Sequence, residues 1–369
     1  MEEKGYEVEL WKVKQELSPS TDFNASAGMY QGKNVYDVPL KEFDSYVGEN
    51  KQAFFIFFGY KSPRYMHAMA KYKCNYFLIQ GTGALLMGTP ERIEAKRDFK
   101  RFLKIKNYIN FFDFKAKVLY KKFIMALAFK YFKRQLPKYV FSGVNITDDW
   151  LRNLPNDKKV YIHSYDYDRY LEVKDRSVNV GEYIVYIDSG YCNIGYDGAI
   201  INCNHPWYED KENVFNKLNT VFNKLEEHYH MPIVVAGHPH AKYESDFLCN
   251  RRIVFDKTSE LVANSKFVIM QLSTAISFVV LFKKNILVLI DDSLKKLEEW
   301  DYYFVTNLRY FGITPCNMDV QEMAREPWKY VHAIDDEIAQ DYIDKYIKIP
   351  GTPDKLFIEV MEEKMKEIT

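Results

Sequence analysis

Four short apolar runs between Met231 and Ile290 restrict what this 369-residue chain can fold into. They are Ile233-Val234-Val235-Ala236, Ile253-Val254-Phe255, Phe267-Val268-Ile269-Met270 and Ile286 to Ile290. None alternates apolar with polar residues, as a strand with one wet face would. Continuous apolar runs mark strands covered on both faces. Segments of helix length between them imply parallel pairing through right-handed crossovers. In such sheets ligands sit beyond the carboxyl ends of the strands. The first run stops at Gly237-His238-Pro239-His240 and the third at Gln271-Leu272-Ser273-Thr274, so polar groups collect at those ends.

The rest of the chain extends the α/β pattern. Tyr6 to Val13 reads as a strand preceded by a helix tail, Glu2 to Gly5, as though a first βα unit were missing. Leu17 to Asn34 is polar and loop-like. Lys51 to Gly59 and Tyr76 to Gln80 read as buried strands, with Pro63 opening a helix between them. Gly81-Thr82-Gly83 is either a turn that lets the backbone approach a ligand or a plain flexible one, since a lone G-x-G is weak. Val160 to His163 is a strand running into Ser164-Tyr165-Asp166-Tyr167-Asp168. Tyr183 to Ile187 is another, ending at Asp188-Ser189-Gly190. Val214 to Tyr229 is an amphipathic helix with Val214, Leu218, Val221, Phe222 and Leu225 on one face. Leu294 to Phe311 and most of the acidic stretch from Met318 onward read as helical.

A length of 369 residues suits two cores better than one. The polar stretch 174–181 is the expected linker. It separates an N-terminal Rossmann-like domain (1–173) from a C-terminal one (182–345), which a helix (346–369) follows. Lys+Arg and Asp+Glu both total 51, so net charge selects no partner. The local balance is different in 96–138, where 14 Lys/Arg face only Asp98 and Asp113 among many aromatics. That stretch reads as a solvated basic face, or as a docking surface for anionic lipid headgroups. Nucleic-acid binding is not expected, because no recognition module accompanies the charge. Five scattered cysteines without a C-x-x-C pair argue against a disulfide framework or structural zinc and fit a reducing compartment. No signal-peptide pattern is visible, and the longest apolar stretch, Phe267 to Phe282, is interrupted by Gln271, Ser273, Thr274 and Ser277. The expectation is a cytoplasmic protein, at most resting on the inner membrane face.

Two such domains enclose a cleft that suits a nucleotide-linked donor on one side and an acceptor on the other. A departing phosphate needs donors, which helix N-termini and hydroxyls supply. Ser273 and Thr274, ahead of the next helix with Ser277, fit that need. Gly237, His238 and Pro239 lie at the neighbouring strand end, where His238 can donate to or protonate the leaving phosphate. Lys257 and Thr258 open the intervening helix, and Glu260 can accept from ribose hydroxyls. Each also has a plainer reading: Thr258 and Ser273 as helix N-caps, His238 as a turn residue. Asp166 and Asp188 are alternative general bases for an acceptor hydroxyl. Asp166-x-Asp168 also mimics a metal-binding pair, but neither a metal nor another cofactor is expected.

The motifs Ala236-Gly237-His238-Pro239, then Lys257 to Ser265, then Ser273-Thr274-Ala275-Ile276-Ser277-Phe278 resemble the C-terminal domain of bacterial GT-B glycosyltransferases that build surface polysaccharides. The His-Pro motif followed by a Ser/Thr motif is similar to that of bacterial sialyltransferases and Kdo transferases, where it holds the CMP of the donor. The wall-teichoic polymerases that use CDP-glycerol look similar here too. Gly5 to Trp11 is similar to the second strand of the N-terminal domain in these transferases. The resemblance implies two Rossmann-like domains facing a cleft and a nucleotide-sugar donor, with a CMP-linked acidic sugar preferred. It implies a surface-glycan acceptor, free or lipid-linked. Two alternatives remain open: a non-catalytic nucleotide-binding subunit of a glycan-assembly complex, and a two-domain nucleotide-sugar epimerase.

Overall fold

Phe54-Phe55-Ile56-Phe57-Phe58 has no polar residue to present to water, so it needs cover on both faces. In the computed structural model it is a strand of a parallel sheet. The structure describes residues 7–14, 35–39, 42–58, 63–80, 136–143, 154–176, 181–190, 210–239, 241, 243, 248–271, 273–296 and 304–368. The Gly81-Thr82-Gly83 turn and nearly all of the basic stretch 96–138 lie outside these residues.

The N-terminal half holds two parallel sheets. Strands β1 (Leu10–Lys14) and β2 (Val35–Pro39) form a pair. Strands β3 (Phe54–Phe58), β4 (Asn75–Gln80), β5 (Tyr139–Ser142) and β6 (Lys159–Tyr161) form a second sheet in that order. Helices α1 (Phe43–Glu49) and α2 (Pro63–Tyr72) cover it, with Phe43, Val47, Ala68 and Met69 buried. β2 (Val-Tyr-Asp-Val-Pro) and β5 (Tyr-Val-Phe-Ser) are not among the strands expected from the sequence; their short apolar runs are broken or ended by Asp37, Pro39 and Ser142.

Helix α3 (Tyr165–Val173) follows β6. This corrects the expectation that Asp166 and Asp168 sit at a strand end: both lie in the first turn of the helix, behind Ser164. The alternation of Tyr and Asp looks strand-like in sequence. The two carboxylates favour the positive end of a helix dipole instead.

The C-terminal sheet has six parallel strands: β7 (Ile184–Ile187), β8 (Ile233–Ala236), β9 (Ile253–Val254), β10 (Val268–Met270), β11 (Ile286–Ile290) and β12 (Cys316–Asn317). Their spatial order is β9-β8-β7-β10-β11-β12. With β7 as strand 1 this is the doubly wound order 3-2-1-4-5-6, whose direction of winding reverses between β7 and β10. Helices α4 (Lys211–Tyr229), α5 (Thr258–Asn264) and α6 (Ile276–Leu281) provide crossovers. All five predicted apolar residues of α4 are buried in the core of this half. The expected helix from Leu294 to Phe311 is described only at its two ends. A 3-10 turn (Asp292–Lys296) and a short α7 (Thr306–Tyr310) stand at its ends, and 297–303 lie outside the described residues. Helices α8 (Gln321–Arg325) and α9 (Asp336–Tyr342) follow.

The last helix, α10 (Phe357–Lys366), does not pack on the sheet that precedes it. Phe357, Val360, Met361 and Met365 are buried against Phe77, Ile79, Phe141 and Ile162 of the N-terminal half. Phe141 and Phe357 meet edge to face, centroids 5.7 Å apart. In the opposite sense, α3 packs on α5 and α6 of the C-terminal half. The two halves therefore exchange one helix each. Phe357→Ala should destabilise the protein by about 3 kcal/mol, the usual cost of a buried aromatic cavity. A denaturant melt followed by circular dichroism would check this.

Candidate functional site

The described polar residues at the carboxyl ends of β7, β8 and β10 converge on Asp188. Its backbone N–H donates to Ala236 O, continuing the ladder one residue beyond β7. A carboxylate at the end of a fully apolar strand is buried (7% exposed) and must collect donors. Gly190 N–H donates to Asp188 Oδ1 at 3.1 Å, and the Tyr243 hydroxyl donates to Oδ2 at 2.6 Å. The Tyr186 hydroxyl stands 3.5 Å from Oδ1, and Gln271 Nε2 donates to that hydroxyl at 2.8 Å. The Tyr243 oxygen in turn accepts from the backbone N–H of His238 at 2.7 Å. One buried chain of polar groups thus runs from β10 through β7 to the His238 turn.

The glycines at these ends permit the approach. Gly190 has φ +74°, and a Cβ on it would stand 3.0 Å from Cγ of His238. A Cβ on Gly237 would lie 2.9 Å from Ile253 and from the Phe255 ring. Phe255, at the end of β9, is 44% exposed and packs against Tyr243 with centroids 5.6 Å apart. His238 is half-buried, and its carbonyl accepts from Ala241 N–H to close a turn in which Pro239 is exposed.

The residues predicted to hold a nucleotide fall into three groups. Gly237, His238 and Pro239 form the turn beside Asp188. Lys257 precedes α5; Thr258 and Glu260 lie in its first turn, and Lys257 Nζ pairs with Glu260 at 3.6 Å on the surface. Asp256, just before them, has a left-handed backbone (φ 57°), a conformation that costs energy for a non-glycine residue. Ser273 and Thr274 lead into α6. The Ser273 hydroxyl accepts from Ala275 N–H at 3.1 Å, a local turn bond ahead of the helix, while Thr274 is exposed.

Ser277 is fully buried and faces away from the turn. Its hydroxyl lies between Asp166 Oδ2 and Thr274 O, within hydrogen-bond reach of both. The hydroxyl can donate to either oxygen, the Asp166 carboxylate or the Thr274 carbonyl. Burial pushes the Asp166 carboxyl above its usual range, against the Ser277 hydrogen bond, which pulls it down. Asp188 and Asp166 are thus tied into separate networks.

Asp168 does not join Asp166 in a metal pair. Its Oδ1 accepts from Phe357 N–H at 2.8 Å, at the start of α10, and lies 3.6 Å from His163 Nε2. Burial raises its pKa, opposed by the Phe357 N–H and by His163. His163 is buried between two carbonyls, Ser164 O at 3.0 Å and Lys355 O at 2.7 Å. Among the described residues no three His, Cys, Asp or Glu side chains gather as metal ligands would. No described helix is long and apolar enough to cross a membrane.

Sequence reasoning did not single out Tyr243, Tyr186 or His163. Tyr186 hides inside an apolar strand, and Tyr243 lies in a polar loop with no periodicity. The available signal was the need of a buried Asp188 for donors from nearby elements.

No family model and no curated protein matches this sequence. Solved structures with a similar arrangement include the UDP-GlcNAc 2-epimerase of Methanocaldococcus jannaschii. It is 10% identical with a TM-score of 0.41, over 93% of this chain and 88% of that one. Acinetobacter baumannii MurG is 11% identical with a TM-score of 0.42, over 99% and 92%. A variant of the wall teichoic acid polymerase TagF is 12% identical with a TM-score of 0.44, over 92% and 78%. Likenesses at this level establish neither a family nor an activity.

Tyr243→Phe removes the donor to Asp188 and the acceptor for His238 N–H, and should cost about 1–3 kcal/mol, read as a lowered denaturation midpoint. Asp166 gives a pH signature. Because burial disfavours its charged form, the folded chain holds that proton more tightly than the unfolded one. Its contribution to stability is full below the ordinary carboxylate value of 3.8 and is lost as pH rises through the raised one. Asp166→Asn should therefore melt with a flatter pH dependence than the parent as pH rises above the ordinary carboxylate value of 3.8.

Proposed function

We propose that this protein transfers a glycosyl group from a nucleotide-sugar donor to a surface-glycan acceptor. The observation that carries the reading is the polar cluster on Asp188, beside the point where the winding of a 3-2-1-4-5-6 parallel sheet reverses. That is where open α/β sheets hold nucleotides. In this reading the nucleotide phosphate lies between the His238 turn and Ser273-Thr274. Lys257 and Thr258 complete its surroundings, and Glu260 accepts from the ribose. The bond between the anomeric carbon and the phosphate oxygen breaks, and the acceptor hydroxyl oxygen takes its place. His238 stabilises the departing phosphate by donating to it.

Asp188 acts as a positioning residue: it holds Tyr243, which holds the His238 backbone. Asp166 and Asp188 are the two candidate acceptors of the hydroxyl proton, each held by hydrogen bonds: Asp188 from Gly190 N–H and Tyr243, Asp166 from Ser277. The reaction needs no metal in this scheme. A CMP-linked acidic sugar is the preferred donor, on the strength of the His-Pro and Ser/Thr motifs. The acceptor is a glycan, lipid-linked in the simplest case, met at the inner face of the cytoplasmic membrane.

A thermal-shift screen against CMP, CDP, UDP and GDP tests the reading, since a ligand that binds only the folded chain raises the melting temperature. Cytidine nucleotides should give the largest rise, and His238→Ala should abolish it while melting normally without ligand. A rise with uridine or guanosine nucleotides instead would move the donor to that base. No rise with any nucleotide would remove the transferase reading.

A further inference from the structure

A groove of about 460 Å³ opens at the other end of the C-terminal sheet, lined by Lys224, Glu227, His228, Arg325, Glu326 and Trp328. His228 lies in the last turn of α4, which leads into the amino end of β8. Trp328 stands just ahead of His332, whose backbone exchanges two hydrogen bonds of 2.8 Å with Ile286 at the amino end of β11. His238 and Ser273 are at the opposite, carboxyl ends of the strands.

The groove is built around a stacked pair of rings. The His228 and Trp328 centroids are 4.1 Å apart with 3° between the planes. Trp328 belongs to a 3-10 turn (Pro327–Tyr330) and packs against the core, so its ring is held in place. The charges on the rim are unequal. Glu227 is paired with Lys224 at 3.1 Å and Glu326 with Lys329 at 2.7 Å. Lys329 holds the Glu326 carboxyl below its usual range, with a smaller contribution from Arg325. The exposed Arg325 guanidinium has neither an ion pair nor a hydrogen-bond partner among the described residues.

We propose that this groove binds an anionic saccharide unit, independently of any transfer reaction at the strand ends. A pyranose ring has an apolar face of C–H groups and a rim of hydroxyls. The exposed His228 ring, backed by a Trp328 ring that packs on the core, offers a flat partner for that face, and Glu227 and Glu326 offer acceptors for the rim. The planar guanidinium of Arg325 matches a carboxylate through two parallel hydrogen bonds. A volume of this size holds one or two sugar rings, within the usual range of small-ligand sites.

The test is a tryptophan-fluorescence titration of the full chain with an oligogalacturonate, a chain of carboxylated pyranoses, and with a dextran oligomer of equal length. The acidic oligomer should change the emission and the neutral one should not. Arg325→Gln should weaken the acidic oligomer about tenfold, a loss typical of one charge-assisted contact, with an unchanged melting temperature. His228→Ala, which removes the ring stacked on Trp328 but keeps the reporting Trp, should also weaken the response. Saturating CMP should leave the response intact. No response to the acidic oligomer, an equal response to dextran, full retention in Arg325→Gln or competition by CMP would each overturn the proposal. None of these readings depends on whether the chain transfers a sugar.

Discussion

Asp188 is a carboxyl group buried at the end of the central strand of the C-terminal sheet, out of reach of water. The strand before it, Ile184–Ile187, is buried on both faces in the middle of six parallel strands, so the carboxylate needs internal donors. Gly190 N–H, the Tyr243 hydroxyl and, at longer range, the Tyr186 hydroxyl are those donors. Each connection constrains another element. Tyr243 is drawn in from the loop after β8 and fixes the His238 backbone. Tyr186 is fixed from β10 by Gln271. The shape of the candidate site is therefore set by satisfying one buried carboxyl group, and the glycines at 190 and 237 are what let the backbone close around it.

A second constraint joins the halves of the chain. Helix α3 leaves the N-terminal sheet and packs on the C-terminal one, where Asp166 meets Ser277. The segment after α9 returns and docks α10 under the N-terminal sheet through Phe357, Val360 and Met361. The two crossings touch: Ser164 N–H donates to Ile347 O, Tyr167 donates to Asp354, and Asp168 accepts from Phe357 N–H. His163 bridges them from inside, between Ser164 O and Lys355 O. Polar groups buried at such a crossing are costly unless all are partnered, which ties the two connections to each other.

Much of this architecture was legible in the sequence. Strands β7, β8, β10 and β11, the buried face of α4 and the clustering of polar residues beyond strand ends all follow from continuous apolar runs and a 3.6-residue period. Those signals are local, and they survive without knowledge of what packs on them. The helix at Tyr165–Val173 was not legible, because alternating Tyr and Asp mimic a strand. Only the dipole at the helix start and the long-range partners of Asp166 and Asp168 explain it. The two-residue strand β12 was equally hidden, since Cys316-Asn317 becomes a strand only by pairing with Leu289 and Ile290.

The site divides in the same way. By itself the sequence determined which residue types stand at the strand ends: His238, Asp188, Ser273, Thr274, and Lys257 ahead of Glu260. Chain order places them one after another at the termini of buried strands. Only the tertiary structure decided which of them meet. Ser277 turns inward to Asp166 rather than toward the His238 turn, and Tyr243 couples Asp188 to His238. The Trp328–His228 groove forms from segments about a hundred residues apart. Burial selects the partners, because a polar atom removed from water takes the nearest geometrically competent donor or acceptor, and that neighbour is supplied by packing rather than by sequence.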